Sequence, residues 1–331
     1  MTLMRTLLAA AAATAIGAST AAAEPAIIFD LGGKFDKSFN EAAFGGAERW
    51  AEETGESYRE IELTSEAQRE QALRRMAESG ANPVVTVGFA YASTLGQLAP
   101  EYPDTDFVAI DAVVDQPNVR NYVFAEHEGS YLVGMLAALA SESGTVGFVG
   151  GMDIPLIRKF ACGYVQGVKA VNPDATVLQN MTGTTPAAWN DQTRGAELAR
   201  AQVSQGADVI YHAAGGTGIG VLQAAADEGI LGIGVDSNQN YLHPGSILTS
   251  MLKRVDNAVY QSFLDSAGDE FDTQDMVMDL ESEGVGYALD QHNADLVTDA
   301  MVEQVEQAKD QIVADEIEVH DYMSDNSCPA S

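Results

Sequence analysis

The densest group of chemistry-bearing side chains is Asp30-Leu31-Gly32-Gly33-Lys34-Phe35-Asp36-Lys37-Ser38-Phe39-Asn40. It follows the short apolar run Ala26 to Phe29, turns on two glycines and enters a helical stretch. That context puts it just beyond the carboxyl end of a strand, where open α/β sheets bind their ligands. Asp36 and Ser38 carry oxygens that can cap the helix or hold a ligand. Phe39 can be a hydrophobic staple or offer a flat face to a planar molecule. Further candidates stand at other strand ends: Asp111 after Ile110, Asp236 after Val235, and the run Gly215-Gly216-Thr217-Gly218-Ile219-Gly220. The two aspartates can accept hydrogen bonds from amino or hydroxyl groups, and such charge-assisted bonds are about twice as strong as neutral ones. Each can also close a turn. Lys253 reads either as an exposed lysine at a helix start or as a cation offsetting acidic charge in a cleft.

The glycine run lacks the G-x-G-x-x-G spacing and no Lys-Ser/Thr follows it, so it reads as close backbone approach to a ligand or as helix packing rather than a phosphate cradle. His127, His212, His243, His292 and His320 are scattered without metal-ligand spacing. No G-x-S-x-G or other recognised nucleophile motif occurs. No metal, cofactor or catalytic residue is therefore expected.

The elements that must position these residues alternate along the chain. β-branched runs at 58–63, 83–87, 107–110 and 121–124 are interleaved with amphipathic stretches at 40–53, 65–78 and 129–140. A second cycle repeats the pattern, with strands at 145–150, 176–179, 208–212, 231–235 and 247–251 and helices at 156–171, 192–204, 218–228 and 255–266. A late strand at 284–289 and a helix at 294–309 close the chain. This alternation is the pattern of parallel sheets covered by helices on both faces, so the fold class is α/β. The absence of a Pro- or Ser-rich linker predicts two lobes packed together and joined by hinge strands. The expected lobes are 24–124 with about 251–283, and 125–250 with about 284–331, crossing near Phe124, Ser250 and Glu283.

Residues 1–23 read as a cleavable signal peptide: Arg5, an apolar Leu/Ala-rich run, and Ala21-Ala22-Ala23 before the cut. Nothing after residue 24 approaches the roughly 18 consecutive apolar residues of a membrane span. No cysteine follows the cleavage site, so a lipid anchor is not expected. The formal charge is -32, one unit more negative once the peptide carrying Arg5 is gone. That balance opposes nucleic acid and anionic lipid as partners. It also disfavours a highly charged anionic ligand, since the 17 Lys and Arg residues form no evident basic cluster. Cys162 and Cys328 in an exported chain permit a disulfide that would pin the polar tail, with two separate thiols as the alternative.

Taken together, several segments resemble the basic membrane protein family of ABC-transporter solute-binding proteins, which includes purine-nucleoside receptors. They are Asp36-Lys37-Ser38-Phe39-Asn40, Ile110-Asp111, Ala213 to Gly218, Gly234 to Gln239, and Thr249 to Val255, in the family's order from residue 26 to about 310. The resemblance implies a two-lobed periplasmic binding protein type I fold, a monomer, a purine nucleoside or related small molecule as ligand, and an ABC permease as partner. It implies Phe39 and Trp189 as an aromatic sandwich. Asp30, Asn40 and Asp111 would face the base, with Asn190 beside Trp189. Gly215, Asp236 and Lys253 would face the sugar, and Ser38 is a further ligand-binding candidate. Trp189 stands where the family often has Phe, and the lipid-attachment cysteine of many members is absent, which implies a free periplasmic protein. Sugar binding without a base, and an exported nucleosidase using Asp111 and Asp236 as acid and base, are the alternatives.

Overall fold

The computed structural model describes residues 23–265 and 271–329. The expected signal peptide lies outside the described residues except for Ala23. The first lobe begins with β1 (Ala26–Phe29), α1 (Phe39–Thr54), β2 (Arg59–Glu62), α2 (Arg69–Glu78), β3 (Val84–Val87), α3 (Ala92–Leu98), β4 (Phe107–Ile110) and β5 (Val119–Phe124). The second contains α4 (Glu126–Ala140), β6 (Thr145–Met152), α5 (Pro155–Val171), β7 (Thr176–Gly183), α6 (Gln192–Val203), β8 (Val209–Ala213), α7 (Thr217–Asp227), β9 (Leu231–Asp236) and β10 (Ile247–Lys253). The chain then supplies α8 (Val255–Asp265), β11 (Met276–Met278), β12 (Val285–Tyr287), α9 (Asp299–Val313) and α10 (Tyr322–Asp325).

Two sheets result, ordered β11-β5-β4-β3-β1-β2 and β12-β10-β9-β8-β6-β7. The five main strands of each sheet are parallel and follow the same order, so the second lobe repeats the topology of the first. Central strands are continuous apolar runs because helices cover both faces: every residue of β1, β3 and β4 is buried. The edge strand β2, Arg-Glu-Ile-Glu, instead alternates half-buried and exposed residues, and its charges blunt an open edge.

The crossings between lobes differ from expectation in one respect. β10 runs on to Lys253 and pairs with β9 up to Leu252, so residues 251–253 belong to the second sheet and the chain crosses after Lys253, not at Ser250. α8 then packs on α1 in the first lobe, where a β-carbon at Gly46 would overlap the Asp256 carbonyl. β11 adds a parallel strand beside β5 before the chain returns to β12, antiparallel to β10. β11 and α3 were not expected from the sequence; both are short, with three and seven residues. The last long helix starts later than expected, at Asp299, where the Thr298 side chain accepts from the Met301 N–H at 3.3 Å.

Helices α4 and α5 are held backbone to backbone. A β-carbon at Gly163 would overlap the His127 carbonyl, and one at Gly167 the Tyr131 carbonyl. Cys162, on the same helix, is bonded to Cys328 with a Cα–Cα distance of 5.6 Å, which ties the tail to α5. Gly167→Ala should therefore destabilise the protein by about 1–3 kcal/mol through overpacking of a full seam. Urea unfolding should show a lower midpoint with an unchanged slope; an unchanged midpoint would disprove the close approach.

Candidate functional site

The carboxyl ends of the two sheets face one another across a cavity lined from both lobes. In each sheet the strand order reverses direction at one place, between β1 and β3 and between β6 and β8, and there the exits diverge to leave a crevice. Asp30 leaves β1 into that space and Gly88 and Phe89 leave β3. From the opposite lobe come Ala213 at the end of β8, Gly215 beyond it, Val235 and Asp236 on β9, and Lys253 on β10.

Asp111 and Asp236 occupy equivalent places, one just past β4 and the other at the end of β9, the fourth strands of their sheets. Their φ angles are 62° and 63°, a left-handed conformation uncommon outside glycine and best tolerated by Asp and Asn. Backbone outliers of this kind gather at binding sites because the surrounding fold must hold them in place. Here they turn a carboxylate from each lobe toward the shared space.

The start of α1 resolves the choice left open for Asp36 and Ser38. Asp36 is the cap: its carboxylate accepts the backbone N–H of Ser38 at 2.8 Å, of Asn40 at 3.1 Å and of Glu41 at 3.1 Å. The Ser38 hydroxyl instead donates across the cleft to the Asp236 carboxylate. Asn40 braces the site, its Oδ1 accepting the Asp30 N–H at 3.2 Å and its Nδ2 donating to Asp36 at 3.2 Å.

Eight of the ten residues singled out in the sequence line the cavity: Asp30, Phe39, Asn40, Asp111, Trp189, Gly215, Asp236 and Lys253. Two do not. Ser38 is fully buried in the contact between lobes, and Asn190 is exposed with its N–H donated to the Ala187 carbonyl at 3.2 Å. Trp189 packs closely against its own lobe, since a β-carbon at Gly151 would overlap the indole. It also reaches the opposite lobe, where a β-carbon at Gly32 would stand 3.8 Å from Trp189 Cβ. The glycine run divides its work: Gly215 borders the cavity, whereas Gly218 makes room for the His212 ring and Gly220 for the Gln192 carbonyl.

Lys253 is the centre of the site's electrostatics. It is 2 % exposed, its Nζ 2.6 Å from Asp111 Oδ2 and 2.9 Å from Glu126 Oε1. The second Glu126 oxygen lies 3.1 Å from Lys159 Nζ, which also donates to the Phe124 carbonyl at 2.7 Å and stands 3.3 Å from Asp321. Rings of Phe124, Phe39 and Phe160 surround the Lys253 ammonium with centroids 4.8, 5.1 and 5.5 Å away. Burial works against the charged lysine, but Asp111, Glu126 and Asp236 outweigh it and hold its pKa above the usual lysine value. Burial likewise pushes Glu126 up, yet Lys253 and Lys159 win and hold it at about 2. For Asp111, Asp236 and Asp36 burial dominates and raises each to about 6.

Sequence reasoning missed Glu126, Lys159, Phe89, the α5 wall of Leu156, Ile157 and Phe160, and a set of contacts that seal the lobes. The Gln239 side chain donates to the Lys37 carbonyl at 2.9 Å and accepts the Val235 N–H at 2.9 Å, with His212 Nε2 3.0 Å from the same oxygen. Ser237 Oγ donates to the Ser38 carbonyl at 3.0 Å. Only the run Gly234 to Gln239 carried a sequence signal, and it pointed to the ligand rather than to lobe contact.

Two lobes of repeated α/β topology closing on one lined cleft define a solute-binding protein fold. A solved ABC transporter solute-binding protein from Aeropyrum pernix K1 superposes with a TM-score of 0.81 at 30% identity, covering 89% of this chain and 92% of that one. The family model described as "ABC transporter substrate-binding protein PnrA-like" matches residues 24–322, and the chain belongs to this Bmp family. It is 36% identical over 281 residues to an uncharacterised lipoprotein of Pyrococcus furiosus, covering 79% of this chain and 69% of that protein. It is also 33% identical over 231 residues to the ABC transporter nucleoside-binding protein BmpA of Lactococcus lactis, covering 66% of this chain and 64% of that protein. Membership makes the chain the substrate-binding part of an ABC transporter, which implies a small-molecule ligand and a permease as its partners.

Removing the Lys253 charge tests the electrostatic centre. Lys253→Met leaves Asp111 and Glu126 buried without their shared cation and should cost about 3–5 kcal/mol in stability. Adding Glu126→Gln to Lys253→Met should recover part of that loss. Chemical denaturation of the single and double variants reads it, and additive losses would show that the pair is not coupled.

Proposed function

We propose that the chain captures a purine nucleoside in the interlobe cleft and delivers it to the permease, without chemically altering it. The observation that carries this reading is the pairing of aromatic walls with carboxylates around a space whose cation is already neutralised. Among the described residues lining the cavity Lys253 is the only cation, and its charge is matched by Asp111 and Glu126. A phosphate or carboxylate ligand would meet Asp30, Asp111 and Asp236 with no cation to spare. A neutral ligand with several N–H and O–H donors suits the same acceptors, of which Asp111 Oδ1 is buried with no hydrogen-bond partner among the described residues. In this reading Phe39 and Trp189 stack on the base, and Asp236, Gly215 and Lys253, all lining the cavity, hold the hydroxyls of the sugar. The Lactococcus relative's name, nucleoside-binding protein, supports the same choice.

Release into the periplasm as a free protein goes with this reading. The Pyrococcus relative is named a lipoprotein, whereas the two cysteines here are Cys162 and Cys328, which are bonded to each other.

Titration calorimetry with adenosine, guanosine and inosine should show tight binding of at least one. Phe39→Ala and Trp189→Ala should each weaken it tenfold or more, since stacking contributes about 1–3 kcal/mol per base. Indifference to both substitutions would remove the sandwich. Competition by ribose alone at similar concentration would favour a sugar receptor, and release of free base during incubation would favour an enzyme.

A further inference from the structure

Arg69, the first residue of α2, is buried although it does not line the cavity. Its Nη2 donates to Asp30 Oδ1 at 3.0 Å, and the Leu31 N–H donates to the same oxygen at 2.8 Å. No hydrogen bond to Asp30 Oδ2 is made among the described residues. That oxygen is held over the backbone of Gly88, where a β-carbon would stand 2.8 Å from it. Gly88 has a φ of 112°, open to glycine and not to larger residues, so the place where Asp30 rests is cleared by the backbone itself. The guanidinium sits 5.8 Å from the Tyr91 ring centroid, and the Tyr91 hydroxyl donates to the Phe29 carbonyl at 3.0 Å, which locks the arrangement to the end of β1.

We propose that Arg69 is a positioning residue of the binding site. It occupies one oxygen of Asp30 and keeps the carboxylate ionised, so that Oδ2 meets the ligand solely as an acceptor and the site selects a molecule offering an N–H or O–H there. A neutral carboxyl in the same place could present a proton instead and would admit ligands with an acceptor at that point. The inference rests on the binding function proposed above.

The groups facing Asp30 fix the direction of the effect. They are Arg69, Glu66 just ahead of α2, whose Oε2 is 3.6 Å from Arg69 Nη1, and Tyr91 after β3. Burial raises the Asp30 pKa, while the Leu31 N–H and Arg69 pull it down and Glu66 adds a small upward push. Without Arg69 the burial effect is opposed only by one backbone N–H, so the carboxyl takes up a proton at higher pH.

The test follows the Asp30 carboxyl by ¹³C NMR titration of the unliganded protein, assigned by its loss in Asp30→Asn. Arg69→Met should raise the midpoint by about 1–3 units, the usual effect of an adjacent arginine, and Arg69→Lys should restore most of it. Affinity of Arg69→Met for whichever of adenosine, guanosine and inosine binds the wild type should then fall as pH drops, by up to tenfold per unit below the new midpoint. Asp111 and Asp236, which burial raises to about 6, titrate in both proteins, so the wild type sets the baseline and the loss in Arg69→Met should exceed it below the new midpoint. A midpoint that stays put in folded Arg69→Met overturns the proposal, as does an equal loss of affinity at every pH. Arg69→Gln is read in the same way if the Met variant does not fold. If no nucleoside binds the wild type, the proposed ligand is wrong, and the midpoint alone decides the role of Arg69.

Discussion

A lysine ammonium sealed from water would be untenable without a counter-charge, because the desolvation of each buried ion costs several kcal/mol after relaxation. Lys253 is sealed in this way, and its solution runs through much of the molecule: Asp111 on one side, Glu126 on the other, and Lys159 beyond Glu126. Asp111, Lys253, Glu126 and Lys159 form a ladder that alternates in sign, each within 3.1 Å of an opposite charge, and Asp321 closes the far end 3.3 Å from Lys159. Its members come from different parts of the fold. Asp111 ends a strand of the first lobe, Lys253 ends β10 where the chain leaves the second, and Glu126 opens α4 just past the first crossing. The electrostatic requirement of one residue thus fixes the hinge, the cavity floor and the register of two crossings together.

The repeat of topology explains why a cleft between these lobes suits a ligand that must be gripped on all sides. Equivalent strands β4 and β9 deliver Asp111 and Asp236 in the same rare backbone conformation, so each lobe contributes a matching acceptor. The lobes also bond to one another directly through Ser38, Ser237 and Gln239. These bonds involve no cavity ligand, so they stabilise closure by themselves and reduce what the ligand must supply, since apparent affinity scales with the fraction of molecules already competent.

The sheets were legible in the sequence because strands buried on both faces must be apolar throughout, as Ala26 to Phe29 and Phe107 to Ile110 are. Strand-end carboxylates were legible for a related reason: an acidic residue directly after such a run has to leave the core. Where the signal failed, the deciding contact was distant in the chain. Ser38 looked like a cap or a ligand contact, yet its hydroxyl is taken by Asp236, 198 positions away, while the nearer Asp36 does the capping. Glu126 and Lys159 look like ordinary solvated residues at helix ends and faces, and only the fold shows that both are buried. The crossing was placed three residues early because Met251 to Lys253 lose the β-branched character of a strand while the ladder still holds them in one.

The same ladder bears on what kind of solute such an acidic protein can hold. The overall charge of -32 acts weakly on a bound molecule, because fields from surface groups are screened within roughly 8–10 Å at ordinary salt. Inside the cleft screening is poor and the local groups decide. Had Lys253 stood alone there, the cavity would have been an anion site despite the protein's charge. Because Glu126 and Asp111 already share its ammonium, the other charged groups on the cavity wall are the carboxylates of Asp30, Asp36, Asp111 and Asp236. Burial raises Asp111 and Asp236 to about 6, so near neutral pH both are mostly ionised and accept hydrogen bonds from N–H or O–H groups. The proposed preference for an uncharged, donor-rich solute therefore depends on Glu126, a residue that does not line the cavity.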